Sequence, residues 1–376
     1  MYDILIAGAG PAGATAAILL ARRKRRVALI DQQPIPVPRP GWMWLGARTR
    51  QLWSGIDVSL DGVFDDPIHT VVLRSADLSR SIVAPLEAPA AYVVDAAAIN
   101  RGLTDAAIEA GVEVLPNASI RRVAQRESDV TLTLESSETV QGRLLIGAWG
   151  ANSRWTHRVG VVPPSNGPIQ WAAEIEVDAA SLGDASMTPA EGPAGPTTAE
   201  LILGLDGGGV GYILRSRNRL KIGLHARSAS DEMKGRLRQL CAALGREGAV
   251  SRDLVRHAAG AIVRQSPSSA ALDYESHVGK HAVLIGEAGG FVGGMSNEGV
   301  YPASWSASIA ADVLDEALAA RSSQDHLMQF DARWRTEMAD YLRPPQTELQ
   351  FLLPLIFTRE PMAVRMANAY FLGENV

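Results

Sequence analysis

Asp3-Ile4-Leu5-Ile6-Ala7 followed by Gly8-Ala9-Gly10-Pro11-Ala12-Gly13 decides how this chain folds. The first part is a nearly continuous apolar run, which suits a buried parallel strand. The second is G-x-G-x-x-G, placed where a strand ends and a helix opens. In that context the first glycine permits a tight turn, the second lets a diphosphate approach the backbone, and the third lets helix pack on strand. A helix from Pro11 to about Ala21 then offers free N–H groups and the positive end of its dipole to phosphates. Val27-Ala28-Leu29-Ile30 reads as the next strand. Asp31 closes it, where a carboxylate accepts the hydroxyls of an adenosine ribose.

Outward from this unit, the organisation is mixed. Arg22 to Arg26 is a run of cations that suits a solvated helix end, facing the negative end of the dipole. Gln32 to Gly41 is proline-rich and reads as a loop. Residues 42–53 are expected to be helical, and Asp95 to Ala110 is an amphipathic helix leading into the strand Val112 to Leu115. Alternating strands are expected near 120–124 and 130–134, and Arg143 to Gly147 is a second candidate for the parallel sheet. From Pro163 to about Asp273 the texture changes to strands at Ile169–Val177, Glu200–Leu205, Val210–Arg215 and Arg219–His225. A loop is expected over 178–199 and a hairpin turn at Asp206 to Gly209. His281 to Gly286 returns as a short apolar strand, followed by a long helix from about Glu298 to Ala320. Leu327, Phe330, Trp334, Met338 and Tyr341 recur at the spacing of one buried helical face, ended by Arg343-Pro344-Pro345.

Composition narrows the classes of function. The chain has 376 residues, 47% hydrophobic and 20% charged, with a net charge of −5. Length favours two or three domains. No basic field for nucleic acid is present. The single cysteine, Cys241, excludes a disulfide scaffold and a four-thiolate metal or iron–sulfur site. It fits a reducing compartment, and a cytoplasmic protein is expected. No apolar run is long enough to span a membrane, and Leu349 to Phe357 is too short. A signal peptide would require cleavage through the fingerprint. His277 and His281 would pair on a metal only if one helix carried both. Gly279 argues against that, so no metal site is expected.

The fingerprint alone does not choose between FAD and a nicotinamide nucleotide. Ile285-Gly286-Glu287-Ala288-Gly289-Gly290-Phe291 resembles the second flavin fingerprint, G-D-A-A-G, of FAD-dependent monooxygenases and geranylgeranyl-reductase-like flavoproteins. Ser296-Asn297-Glu298-Gly299-Val300-Tyr301-Pro302-Ala303 resembles the G-E-G-I segment of that superfamily. Ile146 to Arg154 resembles its G-A-D-G-x-x-S segment. Gly211-Tyr212-Ile213-Leu214, with Leu220 to Leu224, resembles the hairpin of its substrate-binding sheet. The resemblance spans most of the chain. It implies an α/β fold like that of p-hydroxybenzoate hydroxylase: a Rossmann-like FAD-binding domain, an interleaved antiparallel substrate domain and a helical C-terminus. The expected division is 1–75, 95–162 and 274–322 for FAD, 76–94 and 163–273 for substrate, and 323–376 for the helical segment.

The two readings together give a cofactor-holding set. It comprises Gly8, Gly10, Pro11, Ala12, Gly13, Asp31, Gln32, Arg48, Gly150, Gly286, Glu287, Gly294, Glu298 and Gly299. The resemblance also marks departures. Trp149 stands where the superfamily usually has aspartate, Glu287 replaces aspartate, Gly293-Gly294 stands where proline is common, and Ala96 stands where arginine is frequent. The acid replaced by Trp149 helps the hydroxylases bind FAD and reduced nicotinamide. Transient NAD(P)H binding and an external reductase are therefore both open routes for reduction. Lysines occur only at 24, 221, 234 and 280, which counts against a halogenase. The resemblance implies monooxygenation of an aromatic or other apolar substrate. Its alternatives are reduction of an isoprenoid-type alkene, or oxidation of a partner protein's side chain during quinone-cofactor maturation. Tyr212, His225 and Glu174 are the candidates for proton transfer.

Overall fold

The computed structural model describes residues 1–374, except 61, 152, 165–169, 179–196, 206–208, 217–218, 253, 267–268, 321–322 and 345–348. The expected loop at 178–199, apart from its ends, and most of the expected turn at 206–209 lie outside the described residues. The chain divides into two compact units. One comprises Met1–Val63, Val94–Gly167 and Pro267–Pro344. The other comprises Phe64–Val93, Pro168–Ser266 and Pro345–Val376.

In the first unit the opening strand, Tyr2–Ala7, lies inside a parallel sheet. It pairs with Val27–Ile30 on one side and Thr139–Gly147 on the other. Glu113–Leu115 continues the sheet beyond Val27–Ile30, and Ala282–Leu284 continues it beyond Thr139–Gly147. Strands separated by more than 250 residues in sequence thus share one layer. Ile120–Gln125 and Val130–Leu134 fold back as an antiparallel ribbon on the first half of Thr139–Gly147. Ile4, Leu5, Ile6, Ala28, Leu29, Leu145 and Ile146 have essentially no exposed surface. That explains the unbroken apolar runs in these strands.

The fingerprint helix, Pro11–Arg22, packs against the long helix Val300–Ala319 through small residues. Thr15 Oγ1 lies 3.5 Å from Ser304 Oγ and accepts the indole N–H of Trp53 at 3.3 Å. The cation run at the end of the fingerprint helix is not merely solvated. Arg23 pairs with Asp312, Arg25 with Asp315 at 2.6 Å, and Arg22 donates to the carbonyls of Ile56 and Asp57. Residues 42–53 are also not one helix. Trp42–Gly46 is a strand and the helix runs over Ala47–Gly55. The aromatic run Trp42-Met43-Trp44-Leu45 prefers a pleated, half-buried surface. Asp95 caps its helix, Ala96–Glu109, by accepting from the Ala98 N–H at 2.8 Å.

His277 precedes the short hairpin of Val278–Gly279 and Ala282–Leu284, His281 lies in its turn, and the two share no helix. His277 bonds Asp331 and the Gly289 carbonyl, while His281 bonds the Glu127 carbonyl. The expected face of Leu327, Phe330, Trp334, Met338 and Tyr341 is buried throughout. Phe330 and Trp334 pack with His277 and Phe291, the Trp334 and Phe291 rings meeting edge-on at 5.2 Å, and Tyr341 packs with Tyr301 and Trp305.

The second unit is a seven-stranded sheet. Its order is Ile262–Gln265, Trp171–Asp178, Arg219–Ala226, Gly209–Ser216, Thr197–Leu205, Thr70–Ser75 and Ser81–Pro85. Every pairing is antiparallel except Thr197–Leu205 with Thr70–Ser75. Helix Met233–Arg246 buries Leu237, Cys241 and Leu244 against one face, on Ile175, Ile213 and Ile222. The run at 349–357 is a helix, Leu349–Ile356, with Phe351 and Leu355 exposed. Among the described residues, no helix is long and apolar enough to cross a membrane.

Burial and exposure predict contrasting mutational costs. Trp334→Ala should lower stability by about 3–5 kcal/mol, as expected for a large aromatic removed from a closed core. Arg25→Ala removes a partly exposed pair and should cost less than about 1 kcal/mol. Urea unfolding of the two variants measures the difference.

Candidate functional site

The turn after the opening strand is held by backbone contacts that only glycine allows. Gly8 has φ +114°, and a Cβ there would lie 2.1 Å from the Ala148 carbonyl oxygen. At Gly13 a Cβ would lie 1.8 Å from the Gly8 carbonyl oxygen. Gly10 is different: a Cβ there would meet nothing within 4 Å, so its surroundings are open. It caps the fingerprint helix with extended backbone and no side-chain bond, and Pro11 follows with no N–H to satisfy. The first-turn N–H groups therefore face open ground.

That ground is a cavity of about 290 Å³, lined by residues from all three chain stretches of the first unit. Of the expected cofactor-holding residues, Gly8, Gly10, Pro11, Ala12, Asp31, Gln32, Gly150, Glu287 and Gly299 line it. Asp31 is fixed at both oxygens, accepting from the Ala9 N–H and the Gln33 N–H at 2.8 Å each. Each oxygen retains capacity for a further donor.

The turn Gly286–Gly289 contributes Glu287 to the wall. Gly286 has φ +60°, and a Cβ there would lie 2.8 Å from Ala12 Cβ. Its N–H donates to Ser306 Oγ at 3.1 Å. Gly299 leaves room for the Glu287 carboxylate, because a Cβ at 299 would lie 2.9 Å from Glu287 Oε1.

Five expected residues are not on the cavity wall, one of them Gly286, whose Cα side is filled by Ala12 and Ala303. Gly13 packs helix on strand, and Gly294 packs against the Leu342 and Arg343 backbone. Arg48 belongs to the helix Ala47–Gly55. Glu298 is buried just before the long helix, whose first residue is Val300 rather than Glu298. Its carboxylate accepts from Thr49 Oγ1 at 3.1 Å, Tyr341 Oη at 3.2 Å and the Gly46 N–H at 3.4 Å. Burial pushes this carboxyl up to about 7, against the lowering effect of those bonds.

Sequence reasoning also missed wall residues: Gln33, Val37, Arg39, Ala118, Ser153 and Trp155 among them. Arg39 had a legible signal, since it is the cation of the proline-rich loop that follows Asp31. Ala118 had none, because a tertiary contact places it: its N–H donates to the Asp31 carbonyl at 2.7 Å.

In the second unit the three proton-transfer candidates come together on one sheet face. Glu174 and Tyr212 both stand opposite Gly223 in the strand register. The Tyr212 ring crosses that glycine, where a Cβ would lie 2.3 Å from its Oη, and donates to Glu174 Oε2 at 2.8 Å. Lys221 Nζ lies 3.3 Å from Glu174 and Arg264 lies 3.1 Å from it. Burial works to raise the Glu174 pKa, but these two cations and the phenol outweigh it and hold the carboxyl below its ordinary value. Burial and the Glu174 charge keep Tyr212 protonated, well above its ordinary range. His225 lies 5.6 Å from the Tyr212 ring centroid and bonds Ser266 Oγ at 3.1 Å. Burial pushes its pKa down to about 4, so it is neutral near pH 7.

Against this geometry, residues 1–190, just over half of the chain, match the family model described as FAD binding domain. The chain belongs to this FAD binding domain family. One relative is a 3-(3-hydroxy-phenyl)propionate/3-hydroxycinnamic acid hydroxylase from Mycobacterium sp. (strain JLS), 25% identical over 204 residues. The match covers 52% of this chain and 36% of that protein, so the chain spans little more than a third of the hydroxylase's length. Digeranylgeranylglycerophospholipid reductase 2 of Methanopyrus kandleri is 24% identical over 361 residues, covering 89% of this chain and 83% of the reductase. A geranylgeranyl bacteriochlorophyll reductase-like structure from Thermoplasma acidophilum has the same fold. It superposes with a TM-score of 0.74 at 17% identity, covering 100% of this chain and 96% of that one.

The Glu298 site predicts a pH dependence. A carboxyl whose pKa is raised on folding binds its proton more tightly in the folded state. Its stabilising effect is therefore complete below about 4.5 and is lost as pH rises through about 7. The loss should be on the order of 3 kcal/mol. Glu298→Gln should flatten that part of the stability profile, read as the urea midpoint between pH 4.5 and 8.

Proposed function

We propose that the protein is an FAD-dependent oxidoreductase that oxygenates an aromatic or other apolar substrate. The observation that carries the cofactor half is the open ground at Gly10, bounded by the fingerprint helix and the doubly anchored Asp31. The residues present fit a dinucleotide. Asp31 would accept the adenosine ribose hydroxyls. The first turn of Pro11–Arg22 would take the diphosphate. Glu287 would accept a ribityl hydroxyl. Bound FAD supplies two-electron chemistry and the activation of dioxygen, which side chains cannot supply.

The chain's own part in turnover is to manage protons. Tyr212 holds its proton against Glu174, and Lys221 and Arg264 keep Glu174 ionised. Burial leaves His225 neutral in the same cluster and lowers its affinity for a proton.

Reduction of an isoprenoid-type alkene is the second reading. The match to the Methanopyrus kandleri reductase over 89% of the chain favours it. There Tyr212 would supply the proton that accompanies a hydride. Oxygen uptake with an aromatic substrate supports the first reading, and anaerobic turnover of a polyprenyl substrate supports the second.

The first test is the visible spectrum of the purified protein, followed by anaerobic NADH or NADPH. Oxidised-flavin bands that bleach are expected if reduced nicotinamide acts directly. Bands that persist assign reduction to a partner reductase. A colourless protein that takes up no added FAD overturns the proposal. Gly10→Ala separates folding from binding. Its stability should stay within about 1 kcal/mol of the parent, because the new methyl meets no protein atom. FAD affinity, measured by titration, should fall at least about tenfold, a loss of about 1.4 kcal/mol.

A further inference from the structure

We propose that Trp149 and Trp155 form an aromatic wall that takes the adenine of FAD by stacking. This rests on the FAD reading above and assigns a specific task to the residue that departs from the superfamily's aspartate.

Both indoles line the cavity at the carboxyl ends of the parallel strands. They share it with Asp31, Ala118 and Ile120. Ala118 is tied to the Asp31 backbone, which marks this as the nucleoside side. Trp149 directly follows Ala148, whose N–H donates to the Ala7 carbonyl at 2.8 Å, so its backbone is set by the fingerprint strand. Its indole is fixed at two ends. Nε1 donates to Thr156 Oγ1 at 3.2 Å, and the benzene edge lies over Gly147, where a Cβ would come within 2.6 Å of the ring. With its N–H committed, the indole has only its faces and edges to offer a ligand.

Trp155 opens the short helix Trp155–Arg158, and the Arg154 guanidinium lies 4.7 Å from its ring centroid. Both tryptophans are half-buried, unlike the closed core around Trp334. Trp149 packs on one side against the core around Leu145 and Leu284, and half-buried aromatic residues on a cavity wall suit a flat, apolar-faced nucleobase. An aspartate at 149 would present a charge there instead. A tryptophan adds contact area and leaves hydroxyl recognition to Asp31.

The test titrates flavin-free, full-length protein with FAD, ADP and FMN, followed by tryptophan fluorescence. ADP carries the adenine without the flavin, and FMN carries the flavin without the adenine. Trp155→Ala and Trp149→Leu should each weaken FAD and ADP by about tenfold or more, leaving FMN unchanged. Trp149→Phe keeps a ring and should recover most of the loss. If Trp149→Leu does not fold, Trp155→Ala and Trp149→Phe carry the test.

Three results overturn the inference. One is FAD and ADP affinities equal to the parent's in folded Trp155→Ala and Trp149→Leu. Another is an equal loss for FMN, which would make the tryptophans general supports of the fold. The third is a failure of Trp149→Phe to recover binding. A parent protein that binds neither FAD nor ADP would instead defeat the FAD reading itself.

Discussion

Three backbone segments meet at Gly8 with no space for a single added methyl. The Ala148 carbonyl approaches from the strand Thr139–Gly147, and the fingerprint helix approaches through Gly13. A Cβ at Gly8 or Gly13 would overlap a carbonyl oxygen, so strand, turn and helix have their separations set by backbone alone. The consequences spread outward. The strand end at Gly147 and the turn at Gly286 inherit their positions from this contact through the parallel sheet, because Gly147 stands opposite both Ala7 and Leu284. The cavity is the space these constraints leave open in front of Gly10.

The two polar arrangements follow different physical logic. Asp31 is held by backbone N–H donors, which positions a carboxylate and still leaves each oxygen able to accept again. Glu174 is buried among Lys221, Arg264 and Tyr212, where the cost of desolvating a charge is offset only by paired charges and hydrogen bonds. Removing Lys221 would leave the buried Glu174 charge less compensated, whereas Arg264 is half-exposed and Lys221 itself also pairs with Glu176 at 2.9 Å. Glycine enables both arrangements, in the first unit by admitting backbone and in the second by letting the Tyr212 ring lie flat across Gly223.

Local signals account for what was legible in the amino-acid order. The fingerprint strand, its helix and the capping Asp95 are encoded within a few residues of themselves, and each forms as its sequence reads. The second glycine turn and the sheet hairpin were readable as motifs because they need small residues at fixed positions. Trp42–Gly46 was misread because an apolar run of that length fits helix and strand alike. The strands Thr70–Ser75 and Ser81–Pro85 join a sheet whose other members lie beyond residue 170, and nothing local announces that pairing. The cavity wall was half legible for the same reason. Residues in the motifs were found, whereas Ala118 reaches the wall through a contact distant in sequence and Trp155 lies one residue beyond the Ile146–Arg154 segment.

The interleaving of the first unit also bears on the order in which the chain acquires structure during synthesis. Tyr2–Ala7 gains its partner Thr139–Gly147 only after more than a hundred further residues. The wall at Gly286–Gly289 arrives later still. At ribosomal rates of about 5–20 residues per second, the fingerprint waits many seconds before the cavity can close. During that interval the strand edges and small-residue helix are exposed without their final neighbours. Non-local parallel pairing of this kind makes folding intrinsically slow. The cavity is therefore a late product of folding, although the fingerprint that borders it is made well before the Gly286–Gly289 turn.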